Sequence, residues 1–181
     1  MKRTSLIICF LLITATGFAQ KTFTLYSKDL QGQATMKERL NGAGCTGQNQ
    51  SPQLSWTNAP TGTKSFAITM YDSDAPTGSG WWHWIIFDIP ANVNELVTNA
   101  GKISANLAPK GAIQSLTDFG VGGYGGPCPP ANTGIHQYII TVYALKTDKL
   151  GLNASTLPPG VGFTIYKNTL AKASLVFYDQ Y

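Results

Sequence analysis

The residues with the most chemical potential lie in short polar segments that interrupt apolar stretches. The chain has only two histidines, His83 and His136, and each stands at the start of an apolar run. Asp72 and Asp74 follow another such run and precede a turn at Pro76. Imidazole and carboxylate groups can exchange protons, hold an anion through N–H groups or ligate a metal. If the segments meet in space, we expect these groups to line one small polar pocket.

The stretch from Asp72 to His83 is typical of a β-hairpin connection between antiparallel strands. Alternation places Asp72 and Asp74 on one face if the chain stays extended, and Pro76 favours an extended residue before it. This hairpin would bring Asp72 opposite His83, where a carboxylate fixes the tautomer of the imidazole. Alternatively Asp74, and less readily Asp72, caps the turn without touching a ligand.

Each histidine also has a simpler interpretation as a buried core residue with its hydrogen bonds satisfied. Because both enter strands beside loops rich in Gly and Pro, the pattern favours a shared pocket. The Gly-rich loop at residues 122–130 permits two interpretations. Its backbone N–H groups approach an anion closely, or the glycines only serve a demanding loop conformation. The loop is not a nucleotide P-loop, since no Gly-Lys-Ser/Thr follows. The triplet at residues 118–120 lacks every other kinase motif and carries no function.

Aromatic residues are concentrated beside the same segments. Trp and Tyr suit a pocket edge because each combines an apolar ring with a polar tip. Trp56, Phe66 and Phe87 are expected to fill the core. The candidate wall residues are Trp81, Trp82, Trp84, Tyr124 and Tyr138.

Cationic side chains are missing from these segments. No Lys or Arg occurs in residues 65–101 or 111–145. An anion would therefore be held by imidazole, backbone N–H, hydroxyl and indole donors, unless Lys102, Lys110 or a more distant cation folds over the site. Without a bidentate Arg we expect modest affinity for free phosphate. Asp72 would oppose a dianion but would accept a hydrogen bond from a singly protonated phosphate.

Short strands joined by tight turns must position these groups. The 19 glycines and 10 prolines favour turns over long helices. Runs of β-branched and aromatic residues predict strands at residues 23–25, 54–56, 65–71, 84–89, 138–144 and 174–178. One helix is predicted at residues 161–172. The pattern predicts a mostly β fold, an antiparallel β-sandwich.

The N-terminal residues have the pattern of a signal peptide. Lys2 and Arg3 precede an apolar stretch at residues 6–14, and small residues precede a cleavage position after Ala19. A transmembrane anchor is the alternative, but it needs about 20 apolar residues. We therefore expect no stable membrane anchor and a single domain, residues 20–181, in the periplasm or outside the cell.

Removal of the N-terminal segment would leave two cysteines, Cys45 and Cys128. In an oxidising compartment such a pair is a disulfide candidate, and closing so long a loop would contribute about 4 kcal/mol. Two separate buried thiols are the alternative. The formal charge of +4 includes Lys2 and Arg3, and no run of Lys or Arg remains elsewhere. The composition therefore argues against a nucleic-acid partner.

Four motifs occur in order along the chain. They are Asn-x-Ser-Pro at residues 49–52, Asp-x-Asp-Ala-Pro at 72–76, His-Trp at 83–84 and Gly-x-His-x-Tyr at 134–138. Together they resemble the phosphatidylethanolamine-binding protein family, in its bacterial Raf-kinase-inhibitor-like branch. The match runs from about residue 23 to the C terminus. Gln137 stands where the family usually has Arg, which removes a cation beside the pocket.

The resemblance implies two antiparallel sheets with a few short peripheral helices. It also implies a small pocket that accepts phosphate, acetate or phosphorylated head groups, without a cofactor. The residues that the pattern and the resemblance assign to this pocket are Asp72, Asp74, Ala75, Pro76, Trp81, His83, Tyr124, Gly126, Cys128, His136 and Tyr138.

We therefore expect an exported protein that binds a small anionic or phosphorylated ligand and is not an enzyme. Family members act mainly as binding and regulatory proteins, including kinase and protease inhibitors, but export would separate this chain from cytosolic kinases. One alternative is a hydrolase that uses a two-His, one-carboxylate metal site or acid–base groups. Another is a secreted protein-interaction or protease-inhibitor module, which needs an exposed apolar patch.

Overall fold

The computed structural model describes residues 21–180 as a strand-rich fold. The strands are β1 (Thr24–Tyr26), β2 (Asn41–Gly42), β3 (Cys45–Thr46), β4 (Leu54–Thr57), β5 (Ser65–Asp72), β6 (Trp81–Pro90), β7 (Glu95–Leu96), β8 (Ile113–Gln114), β9 (His136–Leu145) and β10 (Thr169–Asp179). They are accompanied by helix α1 (Pro158–Asn168) and a 3₁₀ turn at Ile103–Ala105. In this part of the chain no helix has the length and apolar character needed to cross a bilayer. The predicted signal peptide lies outside the described residues.

The strands form antiparallel sheets, as the sequence predicts. The larger sheet has the order β10-β9-β5-β6-β8, the smaller sheet has the order β1-β4-β7, and β2 pairs with β3. Every pair of neighbouring strands in these sheets is antiparallel. Because β5 lies between β6 and β9, the end of β5 meets the beginnings of both neighbours.

The main core lies between the five-stranded and three-stranded sheets. Alternate residues of β9 point into it, among them Tyr138, Ile140 and Val142, all of which are fully buried. Trp56 and Leu54 on β4 pack from the opposite side. The strand alternation that predicted a sandwich therefore corresponds to a real inner face.

A second apolar cluster covers the outer face of the larger sheet. Val161 and Ile165 of α1 pack against Ala67, Ile85 and Phe87. The sequence prediction for this helix is wrong at both ends, since α1 begins at Pro158, and residues 169–172 form the start of β10. The early start escaped detection because a Pro pair is typical of a turn, yet the first helical turn needs no N–H partner.

Six strands were predicted, and each overlaps a strand of the structure. The main difference is length, because β6 begins at Trp81 and β9 begins at His136. Both histidines thus lie inside strands rather than before them. The cysteines form the expected disulfide, Cys45–Cys128, which connects residues 83 positions apart.

Candidate functional site

A cavity of about 230 Å³ opens where the central strands of the larger sheet begin and end. Asp72 closes β5 and pairs in register with Trp81 of β6 and Tyr138 of β9. The lining residues are Leu40, Ala43, Asp72, Ala75, Pro76, Thr77, Trp81, His83, Phe119, Cys128, Pro129, Pro130, His136 and Tyr138. Three polar segments that are distant in sequence therefore share one cavity. Its volume is smaller than the roughly 300–1,000 Å³ typical of drug-sized ligand sites.

One set of polar residues at this cavity, which we call the paired group, consists of Asp72, His136 and Thr133. His136 Nδ1 lies 2.7 Å from Asp72 Oδ2, and its Nε2 lies 2.8 Å from Thr133 Oγ1. Asp72 Oδ1 accepts a further hydrogen bond from the Asp74 N–H. Asp72 and His136 are almost completely buried, so this network is expected to stabilise the fold.

The hydrogen bonds of Thr133 and Asp74 complete the paired group. The single hydroxyl proton of Thr133 goes to the Pro130 carbonyl oxygen, 2.6 Å away. Thr133 Oγ1 is therefore left to accept a hydrogen bond from His136 Nε2, because the hydroxyl has no second proton to donate. His136 Nδ1 and the Asp74 N–H meet the two carboxylate oxygens of Asp72. The carboxylate therefore does not face the cavity without hydrogen-bond partners.

The other set, which we call the unpaired group, consists of Trp81, His83 and Tyr138. Trp81 Nε1, His83 Nε2 and the Tyr138 hydroxyl are buried and lack a hydrogen-bond partner among the described residues. Asp72 and the Cys128 N–H lie near the Tyr138 hydroxyl, but neither meets it with hydrogen-bond geometry. A buried polar atom without a partner costs about 1–3 kcal/mol. Three such atoms at one cavity are a feature that folding alone does not explain.

His83 has a defined tautomer. Its Nδ1–H donates to the Gly125 carbonyl oxygen at 2.8 Å, and the Gly125 N–H donates back to the His83 carbonyl oxygen. Burial lowers the pKa of His83, although the Gly125 carbonyl and the Asp72 carboxylate act in the opposite direction. The ring is therefore neutral near pH 7, and its free Nε2 is a hydrogen-bond acceptor.

Aromatic packing holds the unpaired group in position. The Phe119 ring packs edge-on against Trp81 and His83, with ring centroids 5.5 Å and 5.3 Å apart. His83 also packs edge-on against Tyr138, with ring centroids 5.2 Å apart. Burial, together with the Asp72 and Asp179 carboxylates, raises the pKa of Tyr138. Tyr138 therefore keeps its hydroxyl proton and can both donate and accept a hydrogen bond.

The Gly-rich loop approaches its neighbours too closely for larger residues. A Cβ at Gly125 would collide with the Phe119 ring, and one at Gly126 would collide with the Glu38 carbonyl oxygen. Asn49 holds the same loop, because its amide accepts from the Gly126 N–H at 2.7 Å and donates to the Tyr124 carbonyl oxygen at 3.2 Å. The loop thus presents the Gly125 carbonyl to His83.

The structure corrects the predicted partner of Asp72. The hairpin interpretation placed Asp72 opposite His83, but the hydrogen bond goes to His136. The reason is strand order, since β5 also borders β9, and His83 Nδ1 is already bonded to Gly125.

Asp74 does not line the cavity. Its Oδ2 accepts from the Gln137 N–H at 2.7 Å, and its own N–H is bonded to Asp72. This arrangement is the turn-capping alternative, which here also ties the turn to the start of β9. Gly126, another predicted lining residue, is not among the residues that line the cavity and lies close to the Glu38 carbonyl oxygen.

Three predicted aromatic wall residues also lie elsewhere. Tyr124 is buried in the core, where its hydroxyl donates to the Glu38 carbonyl oxygen at 3.0 Å. Trp84 is its edge-on neighbour and donates to Gln114. Trp82 faces the outer side of the sheet and packs against Tyr71. Consecutive residues of a strand face opposite sides of the sheet, so Trp81 and Trp82 do not share a pocket.

Several residues of the site were not predicted. Phe119 is the middle residue of the triplet at residues 118–120, to which the sequence assigns no function, and it contacts His83. Thr133 completes the paired group. Leu40 and Ala43 come from a segment with no polar signature. No local pattern marks these residues, because only the tertiary fold brings them to the cavity.

Neither Lys nor Arg occurs among the residues that line the cavity. Lys102 lines a different groove, and Arg39, next to the lining residue Leu40, forms a bidentate pair with the buried Asp179. Any anion in the cavity would therefore meet neutral donors rather than a cation.

Larger grooves exist elsewhere on the molecule. One of about 650 Å³ runs between α1 and the outer face of the sheet, and another of about 470 Å³ borders Arg39. Neither is lined by a buried polar atom that lacks a partner. Within residues 21–180, no group of three His, Cys, Asp or Glu side chains is arranged to hold a metal ion.

The fold and cavity define a class: a β protein with two main antiparallel sheets and a small cavity, lined partly by polar residues, at the ends of its central strands. The family model described as phosphatidylethanolamine-binding protein matches residues 27–179. The chain therefore belongs to the phosphatidylethanolamine-binding protein family, as the order of its motifs predicted.

Individual relatives agree with this assignment. YbcL of Escherichia coli K12, a UPF0098 protein, is 41% identical over 173 residues, which cover 94% of this chain and 93% of YbcL. The YbcL crystal structure, described as that of a new member of the mammalian PEBP family, matches with a TM-score of 0.85 over 90% of this chain and 99% of YbcL.

Two further relatives share less sequence with this chain than YbcL does. The Chlamydia trachomatis PEBP homologue CT736 matches with a TM-score of 0.69 and 25% identity, over 88% of this chain and 97% of CT736. LppC of Mycobacterium tuberculosis, which is named as a lipoprotein, is 33% identical over 130 residues, covering 72% of this chain and 57% of LppC.

Proposed function

We propose that the protein is an exported binding protein whose cavity holds a small anionic, phosphate-bearing ligand. The observation that carries the proposal is the unpaired group. Six buried side-chain nitrogen or oxygen atoms lack a partner in the described part of the chain, and three of them belong to residues that line this one cavity. A ligand that pairs with them recovers part of the free energy that folding leaves unsatisfied.

The chemistry of the cavity favours a small oxyanion. The Trp81 indole and the Tyr138 hydroxyl supply donors, and the cavity volume suits a head group rather than a long molecule. Because both carboxylate oxygens of Asp72 are hydrogen-bonded within the protein, no carboxylate without partners faces an anion in the cavity. Without a cation in the lining, the affinity for free phosphate should be modest.

Two features support export. The Cys45–Cys128 disulfide is typical of oxidising compartments, and the relative LppC is named as a lipoprotein. The N-terminal pattern of two cations, an apolar stretch and small residues before position 20 agrees with both. N-terminal sequencing of the protein from its native source tests this point. A chain that begins near residue 20 is expected, and an intact Met1 in the mature protein would contradict export.

Calorimetric titration with O-phosphoethanolamine and with inorganic phosphate tests ligand binding. We expect saturable binding, weakened at least tenfold by Trp81→Phe and by Tyr138→Phe, because each change deletes one donor. Trp82→Phe is the matched control, since Trp82 is adjacent in sequence but faces the outer side of the sheet. Equal affinities in the wild type and in all three variants would exclude this cavity as the binding site.

A further inference from the structure

The protons that the cavity residues already carry restrict which phosphate compounds fit. His83 uses its Nδ1 proton on the Gly125 carbonyl oxygen, so its Nε2 presents a lone pair. That atom is buried, has no hydrogen-bond partner among the described residues and needs a donor. The Trp81 indole N–H can only donate, so it needs an acceptor. A ligand that satisfies both must offer a donor and an acceptor within one small group.

A phosphate monoester meets this requirement near neutral pH. Its second pKa is about 6, so the form with one P–OH group is readily accessible. The P–OH group would donate to His83 Nε2, while the other oxygens would accept from Trp81 and Tyr138. A phosphodiester, a sulfate ester or a carboxylate has no proton to donate at neutral pH, since even a carboxyl group ionises near pH 4.

We propose that the cavity selects phosphate monoesters, held with one proton between a phosphate oxygen and His83 Nε2, over phosphodiesters, sulfate esters and carboxylates. This selectivity rests on the proposed function, because it concerns the same cavity. A ligand without the proton places an oxygen lone pair against the Nε2 lone pair, or it must place a charge on a buried ring, which is unfavourable. The head group of an intact diacyl phospholipid is a diester and belongs to the disfavoured class.

The surroundings of His83 offer no other place for that proton. The titratable groups that act on this ring or pack against it are Asp72 on β5, Tyr138 on β9 and Asp118 in the loop after β8, and His136 on β9 lines the same cavity. Asp72 is bonded to His136 and to the Asp74 N–H, and Asp118 accepts from the Trp82 N–H at 2.7 Å. Because these carboxylates already accept hydrogen bonds, the added proton belongs to the contact between the ligand and His83.

Three ligands that share ethanolamine but differ in the acid group test the proposal: O-phosphoethanolamine, glycerophosphoethanolamine and ethanolamine O-sulfate. Calorimetry at pH 7.5, in buffers of different ionisation enthalpy, should show uptake of about one proton by the monoester complex, because the free monoester is mainly a dianion there. The diester and the sulfate should bind at least tenfold more weakly. Binding of either within threefold of the monoester, or binding without proton uptake, would overturn the selectivity while leaving the proposed function intact. No binding of any of the three would remove both.

The variant His83→Gln isolates the role of the Nε2 lone pair. A carboxamide offers both a donor and an acceptor, so the preference for the monoester should fall below threefold and proton uptake should disappear. Trp82→Phe should keep the wild-type preference. A folded His83→Gln protein that retains the full preference would overturn the assignment to His83. If this variant does not fold, the proton count and the ligand preference of the wild type decide the matter.

Discussion

The paired and unpaired groups line the same cavity but differ in how their polar atoms are satisfied. In the paired group, Asp72 and both ring nitrogens of His136 have hydrogen-bond partners within 3 Å. In the unpaired group, one polar atom each of Trp81, His83 and Tyr138 has none. Both groups are built largely from the same three strands, so they differ in hydrogen bonding and not in their place in the sheet.

This difference separates residues that hold the site together from residues that are available to a ligand. Both histidines are almost equally buried, so burial does not distinguish them. Their hydrogen bonds do, because His136 is bonded through both nitrogens and His83 through one. We therefore expect substitutions in the paired group to lower stability, and substitutions in the unpaired group to lower affinity.

The largest effect is expected from His136→Ala. This change leaves the Asp72 carboxylate buried with only the Asp74 N–H as a partner, which should lower the free energy of unfolding by about 3–5 kcal/mol. Urea denaturation measures the change. The double variant Asp72→Leu/His136→Leu should recover much of the loss, because it removes both charges. A loss below about 1 kcal/mol for the single variant would contradict the role of the paired group.

Removal of the disulfide is expected to have the next largest effect. Cys128 lines the cavity and its bond to Cys45 closes a long loop. The variant Cys45→Ala/Cys128→Ala should lose about 2–4 kcal/mol of unfolding free energy. The affinity for O-phosphoethanolamine should change less than threefold, because the unpaired group does not include either cysteine. A loss of binding free energy that exceeds the loss of unfolding free energy would show that the disulfide shapes the site itself.

Two buried tyrosines differ in whether their hydroxyl groups are hydrogen-bonded, so removing each hydroxyl should affect stability differently. Tyr124→Phe removes a hydroxyl that donates to the Glu38 carbonyl oxygen, so stability should fall by about 1 kcal/mol. Tyr138→Phe removes a hydroxyl with no partner, so stability should stay constant or rise by about 1 kcal/mol while affinity falls. Thermal and urea unfolding of the two variants side by side measure this contrast. Equal destabilisation of both would mean that Tyr138 is hydrogen-bonded in solution.

An effect of about the same size is expected from pH. Burial lowers the pKa of His83 in the folded protein, so below about pH 6.5 the unfolded chain takes up a proton that the folded chain does not. The free energy of unfolding should therefore fall as the pH drops below 6.5, by up to about 1.4 kcal/mol per pH unit. Urea denaturation at pH 5.5–7.5 should show a smaller slope for His83→Gln. Identical slopes would contradict a neutral buried His83.

The sequence predicted most of the fold because strand alternation and turn residues are local signals. It also predicted that Asp72, His83, His136 and Tyr138 belong together. It did not predict which histidine bonds Asp72, because that depends on β9 lying beside β5, a contact across more than 60 residues.

Other errors have similar causes. Tyr124 looked like a wall residue, but the Gly125 carbonyl faces His83 while Tyr124 packs into the core. The helix boundary at Pro158 depends on the fold, since the same Pro pair is equally typical of a loop. Phe119 contributes only through its contacts with Trp81 and His83, and no spacing rule could reveal them.

The central claim is that His83 Nε2 is available to a ligand whereas His136 is not, and side-chain ¹⁵N nuclear magnetic resonance tests it most directly. The chain has only two histidines, so the four ring nitrogens can be assigned with a His83→Gln variant. On saturation with O-phosphoethanolamine, we expect His83 Nε2 to shift from an unbonded, unprotonated signal toward a hydrogen-bonded one, while the signals of both His136 nitrogens stay unchanged. A shift confined to His136, or no shift at either ring under saturating ligand, would contradict the account.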